Sequence, residues 1–220
     1  MKKLIIANWK EHKTIKESLE FLEVFQKNLT SISLTDKEIV ICPSFTALSE
    51  IAKFVLTRHL PVHIGAQNIS AFEEGAYTGE VSATQIKEVA EYVIIGHSER
   101  RRFFHETPDD VQKKVDQALK IGLTPIVCVQ DENEPVPEGV QYVAFEPVNA
   151  IGTGSPEDPK RIEQVFMSLS SKNDKSMYIY GGSIKPENVS EYTSLPQMAG
   201  FLVGGASLDP VSFTNIISSC

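Results

Sequence analysis

Eight short apolar runs, each followed by a longer stretch, constrain this chain more than any other feature. They are Leu4–Ala7, Glu38–Cys42, Val62–Ala66, Tyr92–Gly96, Thr124–Val129, Tyr142–Phe145, Met177–Tyr180 and Gly200–Val203. Most are near-continuous in Val, Ile and Leu, as parallel strands are when both faces are covered. The stretches between them have helical spacing, as in Ile15–Leu29, where Leu19, Leu22, Val24, Phe25 and Leu29 recur. Ala47–Leu56, Ala83–Ala90, Asp109–Ile121, Pro159–Leu169, Pro186–Tyr192 and Asp209–Ile217 are further helix candidates. Ser82, Thr107-Pro108, Lys185-Pro186 and Asp209-Pro210 read as helix starts. Eight strands alternating with helices in 220 residues predict an α/β fold, a (β/α)₈ barrel forming one domain over residues 1–220. The rival, a doubly wound open sheet, would carry a glycine-rich turn after its first strand. Asn8-Trp9-Lys10 stands there instead.

One interval breaks the alternation. Between strands five and six lie only the eleven residues Asp131–Gln141, and Pro135, Pro137 and Gly139 among them forbid a stable helix. Eleven extended residues reach about 36 Å, enough to return the chain without one. The fifth outer helix is therefore expected to be missing. The outer face of strands five and six is then expected to be partly uncovered, and either capped by a partner subunit or unusually polar.

Composition narrows the function. With 41% hydrophobic residues the chain can bury a sizeable core, and it has no apolar run long enough to span a membrane. The apolar start Leu4–Ala7 ends at Asn8-Trp9-Lys10, too soon for a signal peptide. A net charge of −8 opposes nucleic-acid binding, and Arg100-Arg101-Arg102 is the one basic run. Cys42, Cys128 and Cys220 have no metal-like spacing, so reduced thiols in the cytoplasm are expected and no metal site is.

Polar residues gather where the strands end. Asn8 and Lys10 follow the first strand, His97 the fourth, and Glu146 the sixth. Glu146 precedes Pro147 and a small-residue loop ending Gly152-Thr153-Gly154. A base at a strand end, before a loop that could close, suits proton abstraction from a small shielded substrate. Taken alone, it suits a surface carboxylate before a turn equally well. Gly181-Gly182-Ser183 and Gly204-Gly205 follow strands seven and eight, where barrels commonly bind phosphate.

These motifs, taken together, resemble one family. Asn8-Trp9-Lys10, Gly65-Ala66-Gln67-Asn68, Gly75-Ala76-Tyr77-Thr78-Gly79-Glu80, Gly96-His97-Ser98-Glu99-Arg100-Arg101, Phe145-Glu146-Pro147-Val148, Ile151-Gly152-Thr153-Gly154, Tyr180-Gly181-Gly182-Ser183 and Gly200–Leu208 are collinear with triosephosphate isomerase over nearly the whole chain. The resemblance implies interconversion of dihydroxyacetone phosphate and glyceraldehyde 3-phosphate, without cofactor. It assigns Glu146 as the base, His97 as the electrophile, Lys10 as the stabilising cation, Asn8 as a donor beside it, and Glu99 as the lysine's carboxylate. Gly152, Ser183, Gly204 and Gly205 match the phosphate cradle. His97 is expected to open a short helix whose dipole favours neutral imidazole; this family is itself the standing illustration of that pairing with a carboxylate. Gln67–Glu80 resembles the family's long third loop, which enters a neighbouring subunit with Thr78 near its tip, and so implies a homodimer. Shortened archaeal members can form tetramers, which keeps a tetramer open.

The chain also departs from the family. Asn149 replaces a usual tryptophan, Phe145 a usual tyrosine, and Cys128-Val129-Gln130-Asp131 a usual Cys-x-Gly-Glu. The expected consequence is a closing loop with a rebuilt latch, Asn149 and Asp131 being one candidate pair. Two rival readings follow. One is another phosphate-binding barrel such as a phosphoribosyl isomerase, which leaves Asn8-Trp9-Lys10 unexplained. The other is a catalytically weakened barrel with a binding or structural role, which leaves the intact Lys10, His97 and Glu146 unexplained.

Overall fold

Strands β1 (Lys3–Asn8), β2 (Lys37–Cys42), β3 (His63–Ala66), β4 (Tyr92–Ile95), β5 (Thr124–Val129), β6 (Tyr142–Phe145), β7 (Met177–Tyr180) and β8 (Met198–Val203) pair in sequence order into a closed parallel barrel. The computed structural model describes residues 2–147 and 156–220. Each strand's alternation splits its apolar side chains between two cores. Leu4, Ile6, Val40, Ile94, Ile126 and Ile179 belong to a smaller cluster of strand residues alone. Ile5, Ile39, Val93, Val127 and Val143 face the helices, packing with Phe25, Ile51, Val115 and Phe166. Closure of β8 on β1 needs a glycine, because a Cβ at Gly200 would stand 1.9 Å from the Leu4 carbonyl oxygen.

The helices are α1 (Ile15–Leu29), α2 (Phe45–Arg58), α3 (Ala83–Lys87), α4 (Ser98–Phe104), α5 (Pro108–Lys120), α6 (Pro159–Lys172), α7 (Val189–Thr193) and α8 (Pro210–Ser219). Local chemistry explains most starts. Ser82 and Thr107 form capping boxes with Gln85 and Asp110, and the Asp209 side chain accepts the Ser212 N–H. Lys185-Pro186 is not a helix start. Asn188 Oδ1 accepts the Lys185 N–H at 2.8 Å, which closes a turn first, and α7 begins only at Val189.

Between β5 and β6 residues 130–141 form turns and no helix, as their prolines require. The expectation of an uncovered face is overturned. Val127, Val129, Val143 and Phe145 are all buried within one chain. The connector itself supplies the cover: Val140 joins the core and Val136 packs against it. Arg161 and Lys172 of α6 hold the connector down, donating to the Glu132 carboxylate at 2.8 Å and the Glu132 carbonyl at 2.7 Å.

Candidate functional site

Every polar residue singled out at the strand ends, within the described residues, lies at the same end of the barrel. Asn8, Lys10, His97, Glu146, Ser183, Gly204 and Gly205 line one cavity of about 210 Å³. Gly152 and Asn149, named from the resemblance, lie outside the described residues. Asp131, the other half of the proposed latch, caps its own turn, accepting the Asn133 N–H at 2.7 Å.

Lys10 reaches the cavity through an unusual backbone. Its φ is +52°, a left-handed conformation that disfavours any residue with a Cβ. Three bonds hold it there. The Lys10 N–H donates to Asn8 Oδ1 at 3.1 Å, and Gln67 Nε2 donates to the carbonyls of Lys10 and Cys42, each at 2.9 Å. Lys10 Nζ pairs with Glu99 Oε1 at 2.6 Å. Trp9, fully buried, donates from its indole to the Ser207 carbonyl at 3.2 Å and ties this loop to the short 3₁₀ turn Gly205–Leu208 after β8. Gln67 and Trp9 stand in the sequence motifs, but their roles follow only from these contacts. Lys185, which also lines the cavity, reads in the sequence only as part of a helix start.

His97 is the N-cap of α4, as expected. Its Nδ1 accepts the Glu99 N–H at 3.2 Å, so the ring proton sits on Nε2. That nitrogen lies 2.9 Å from Glu146 Oε1, and the Ser98 N–H donates to Glu146 Oε2 at 2.8 Å. Both residues are buried. Burial disfavours charge on Glu146, yet His97 and the Ser98 N–H hold its carboxyl below the usual range. Burial likewise lowers the imidazole pKa, but the Glu146 charge raises it above the ordinary value. The rise depends on Glu146 being in contact. Once that carboxylate moves away, burial and Lys10 act downward with only Glu99 opposing, which favours neutral imidazole with Nε2–H free to donate. Beneath the pair, burial and the Glu146 charge keep the Cys128 thiol protonated.

Such an arrangement can move a proton. It holds a shielded carboxylate, a neutral N–H donor and an ammonium around one small cavity, with paired glycines at its far side. Among the described residues no group of three or more His, Cys, Asp or Glu could hold a metal ion.

The chain is similar to known proteins over its whole length. The family model described as triosephosphate isomerase matches residues 3–220. The triosephosphate isomerase of Aquifex aeolicus (strain VF5) is 38% identical over the whole of both chains. That of Trichodesmium erythraeum (strain IMS101) is 40% identical over 99% of each. Among solved structures, triosephosphate isomerase from Bartonella henselae superposes with a TM-score of 0.85 at 30% identity, covering 100% of this chain and 99% of the other.

Proposed function

Since the chain belongs to the triosephosphate isomerase family and interconverts dihydroxyacetone phosphate and D-glyceraldehyde 3-phosphate, we propose that Glu146, His97, Lys10, Asn8 and Glu99 carry the proton and charge movements of that reaction. Gly152, Ser183, Gly204 and Gly205 hold the phosphate in the same reading. Glu146 leaves His97 and Ser98 and takes a proton from C1 of the ketone, breaking the C1–H bond. The C–H electron pair forms the C1=C2 double bond and the charge moves onto O2, so the enediolate oxygens face His97 Nε2–H and Lys10 Nζ. Glu146 returns the proton to C2, and the hydroxyl proton on O1 is exchanged for one on O2 through His97. Nothing is oxidised or reduced overall, and the atoms of substrate and product balance. Glu99 restrains the lysine, and Asn8 fixes its backbone.

One observation carries this reading: the buried contact of 2.9 Å between Glu146 Oε1 and His97 Nε2, with His97 Nδ1 committed to a backbone N–H. Running the reaction in D₂O tests it. A base that exchanges its proton with solvent leaves deuterium at the carbon it reprotonates. Deuterium incorporation and turnover that persist unchanged in Glu146→Gln would remove Glu146 as the proton carrier.

The same reading includes a homodimer. Phe72 and Tyr77 stack at 4.3 Å on the Gln67–Glu80 loop, and each is nearly half exposed. A groove of about 720 Å³ lies beside Lys10, with exposed Phe45, Phe103 and Phe104 in its wall. A second copy's loop seated there would cover both apolar surfaces. The reason for a tetramer weakens, because the connector already covers β5 and β6. Light scattering is expected to give twice the chain mass and to hold it through about a hundredfold dilution. A monomer mass throughout would overturn this. Two of the three cysteines are buried and all are free, which suits the cytoplasm proposed for the chain.

A further inference from the structure

Arg101 and Glu134 form an ion pair next to the site that the reaction as described does not use. Arg101, on α4, is mostly buried, with 13% of its side chain exposed. Its Nε donates to the Gly96 carbonyl at 2.8 Å and its Nη2 to the Cys128 carbonyl at 3.1 Å. It thus ties the end of β4 to the end of β5. Gly96 immediately precedes His97 and has φ +72°; a Cβ there would come within 2.9 Å of Arg101 Nη2. On the other side, β5 supports the base, since the Glu146 N–H donates to the Val129 carbonyl at 2.8 Å. One guanidinium therefore touches the backbone that presents His97 and the strand that presents Glu146.

A buried guanidinium needs an anion. Glu134 supplies it, with Oε2 at 3.1 Å from Arg101 Nη2. Glu134 belongs to the connector that lacks a helix, between Pro135 and the Asp131–Asn133 turn. We infer that Glu134 is a positioning residue for the isomerisation: by neutralising Arg101 it keeps the guanidinium on Gly96 and Cys128 and away from the Glu146 carboxylate. The inference rests on the reading of His97 and Glu146 given above. It also gives the shortened connector a part in the chemistry besides its part in the core.

The geometry sets the direction of the effect. Without Glu134, the buried Arg101 has Glu146 as a competing carboxylate. The Glu134 pKa is raised: burial outweighs Arg101 and a hydrogen bond with the Gln130 backbone, and Asp131 and then Glu146 add to the rise, so the two acids feel one another. An Arg101 drawn toward Glu146 misplaces the base, while the phosphate side of the cavity, built on the loops after β7 and β8, is untouched. Small misplacements of a reacting group cost rate and not binding. Glu134→Gln, which keeps the shape and removes the charge, is expected to lower kcat about tenfold with KM changed by less than about twofold. Val136→Ala is the control: it trims the same connector's apolar cover and is expected to lower Tm while keeping kcat within about twofold. Arg101→Lys, which keeps the charge and loses the forked contact, is expected to give the same kcat-only loss and serves if the glutamine variant does not fold. A kcat for Glu134→Gln within about twofold of the parent, an equal loss in Val136→Ala, or an Arg101→Lys effect confined to KM would each overturn the role. The outcomes stay separable from the site reading. If Glu146→Gln is inactive and Glu134→Gln is normal, only this role falls; if Glu146→Gln is active, the site reading falls.

Discussion

Replacing Glu146 with glutamine is expected to lower kcat by about 10²–10⁴-fold, the usual worth of a positioned general base. The substitution keeps the size of a side chain that is 2% exposed, so no cavity opens and the fold should persist. One oxygen can still accept the Ser98 N–H. The amide cannot take a proton from carbon, because its conjugate acid is far too strong at neutral pH. It also cannot offer an acceptor to both Ser98 N–H and His97 Nε2–H unless one oxygen serves both. Some disorder of His97 therefore adds to the loss. The phosphate cradle is separate, so competitive inhibition by inorganic phosphate should change by less than about twofold. Circular dichroism establishes folding, and a coupled assay in both directions establishes kcat. A folded glutamine variant with kcat within tenfold of the parent would remove Glu146 from the chemistry, and with it the role of its contact to His97.

The strands were legible because a parallel barrel imposes the same demand on every one of them. Both faces are buried, so each must be a short continuous apolar run, and β5, β6 and β7 have the bounds their residues suggest. The absent helix was legible for the opposite reason: Pro135, Pro137 and Gly139 exclude a conformation, and exclusion is local. What covers the strands there was not legible. That depends on where Val136 and Val140 land in space, which no period in the sequence encodes. The same limit hid the role of Gln67, whose amide bonds one carbonyl in the loop after β1 and one at the end of β2, and the pairing of Arg101 with Glu134 across α5 and β5. The site residues emerged early because (β/α)₈ topology gathers strand ends that are distant in sequence. Their hydrogen-bond partners did not, since side-chain pairing between loops follows from packing and not from topology.

The largest effect on stability is expected at Glu106, a residue with no motif around it. Its side chain is 3% exposed and accepts from three groups. Oε1 takes the Gly96 N–H at 3.1 Å; Oε2 takes Arg100 Nε at 2.7 Å and the ammonium of Lys114, itself buried. Lys114 Nζ extends the cluster by donating to Asn68 Oδ1 at 2.8 Å. Glu106→Gln leaves Lys114 buried without its anion. Removing one partner of a buried pair costs about 3–5 kcal/mol, far more than an exposed pair contributes. At roughly 2–4 °C per kcal/mol for a chain of this size, Tm should fall by on the order of 10 °C at matched protein concentration. The pH dependence gives a second signature. Burial raises the Glu106 pKa, but Lys114 and Arg100 more than offset it, so the folded value lies below the ordinary one. A depressed carboxylate contributes stability above its unfolded pKa of about 4.3 and loses it as pH falls through the folded value. The gap in stability between parent and variant should therefore be full near neutrality and narrow on acidification below about pH 4. A loss under about 1 kcal/mol, or a gap that does not narrow in acid, would show that Lys114 and Arg100 find other partners. Because a single amide oxygen cannot serve the Gly96 N–H, Arg100 and Lys114 together, the backbone before His97 loosens and activity should fall with stability in this variant, which separates it from Val136→Ala, where stability alone is expected to change.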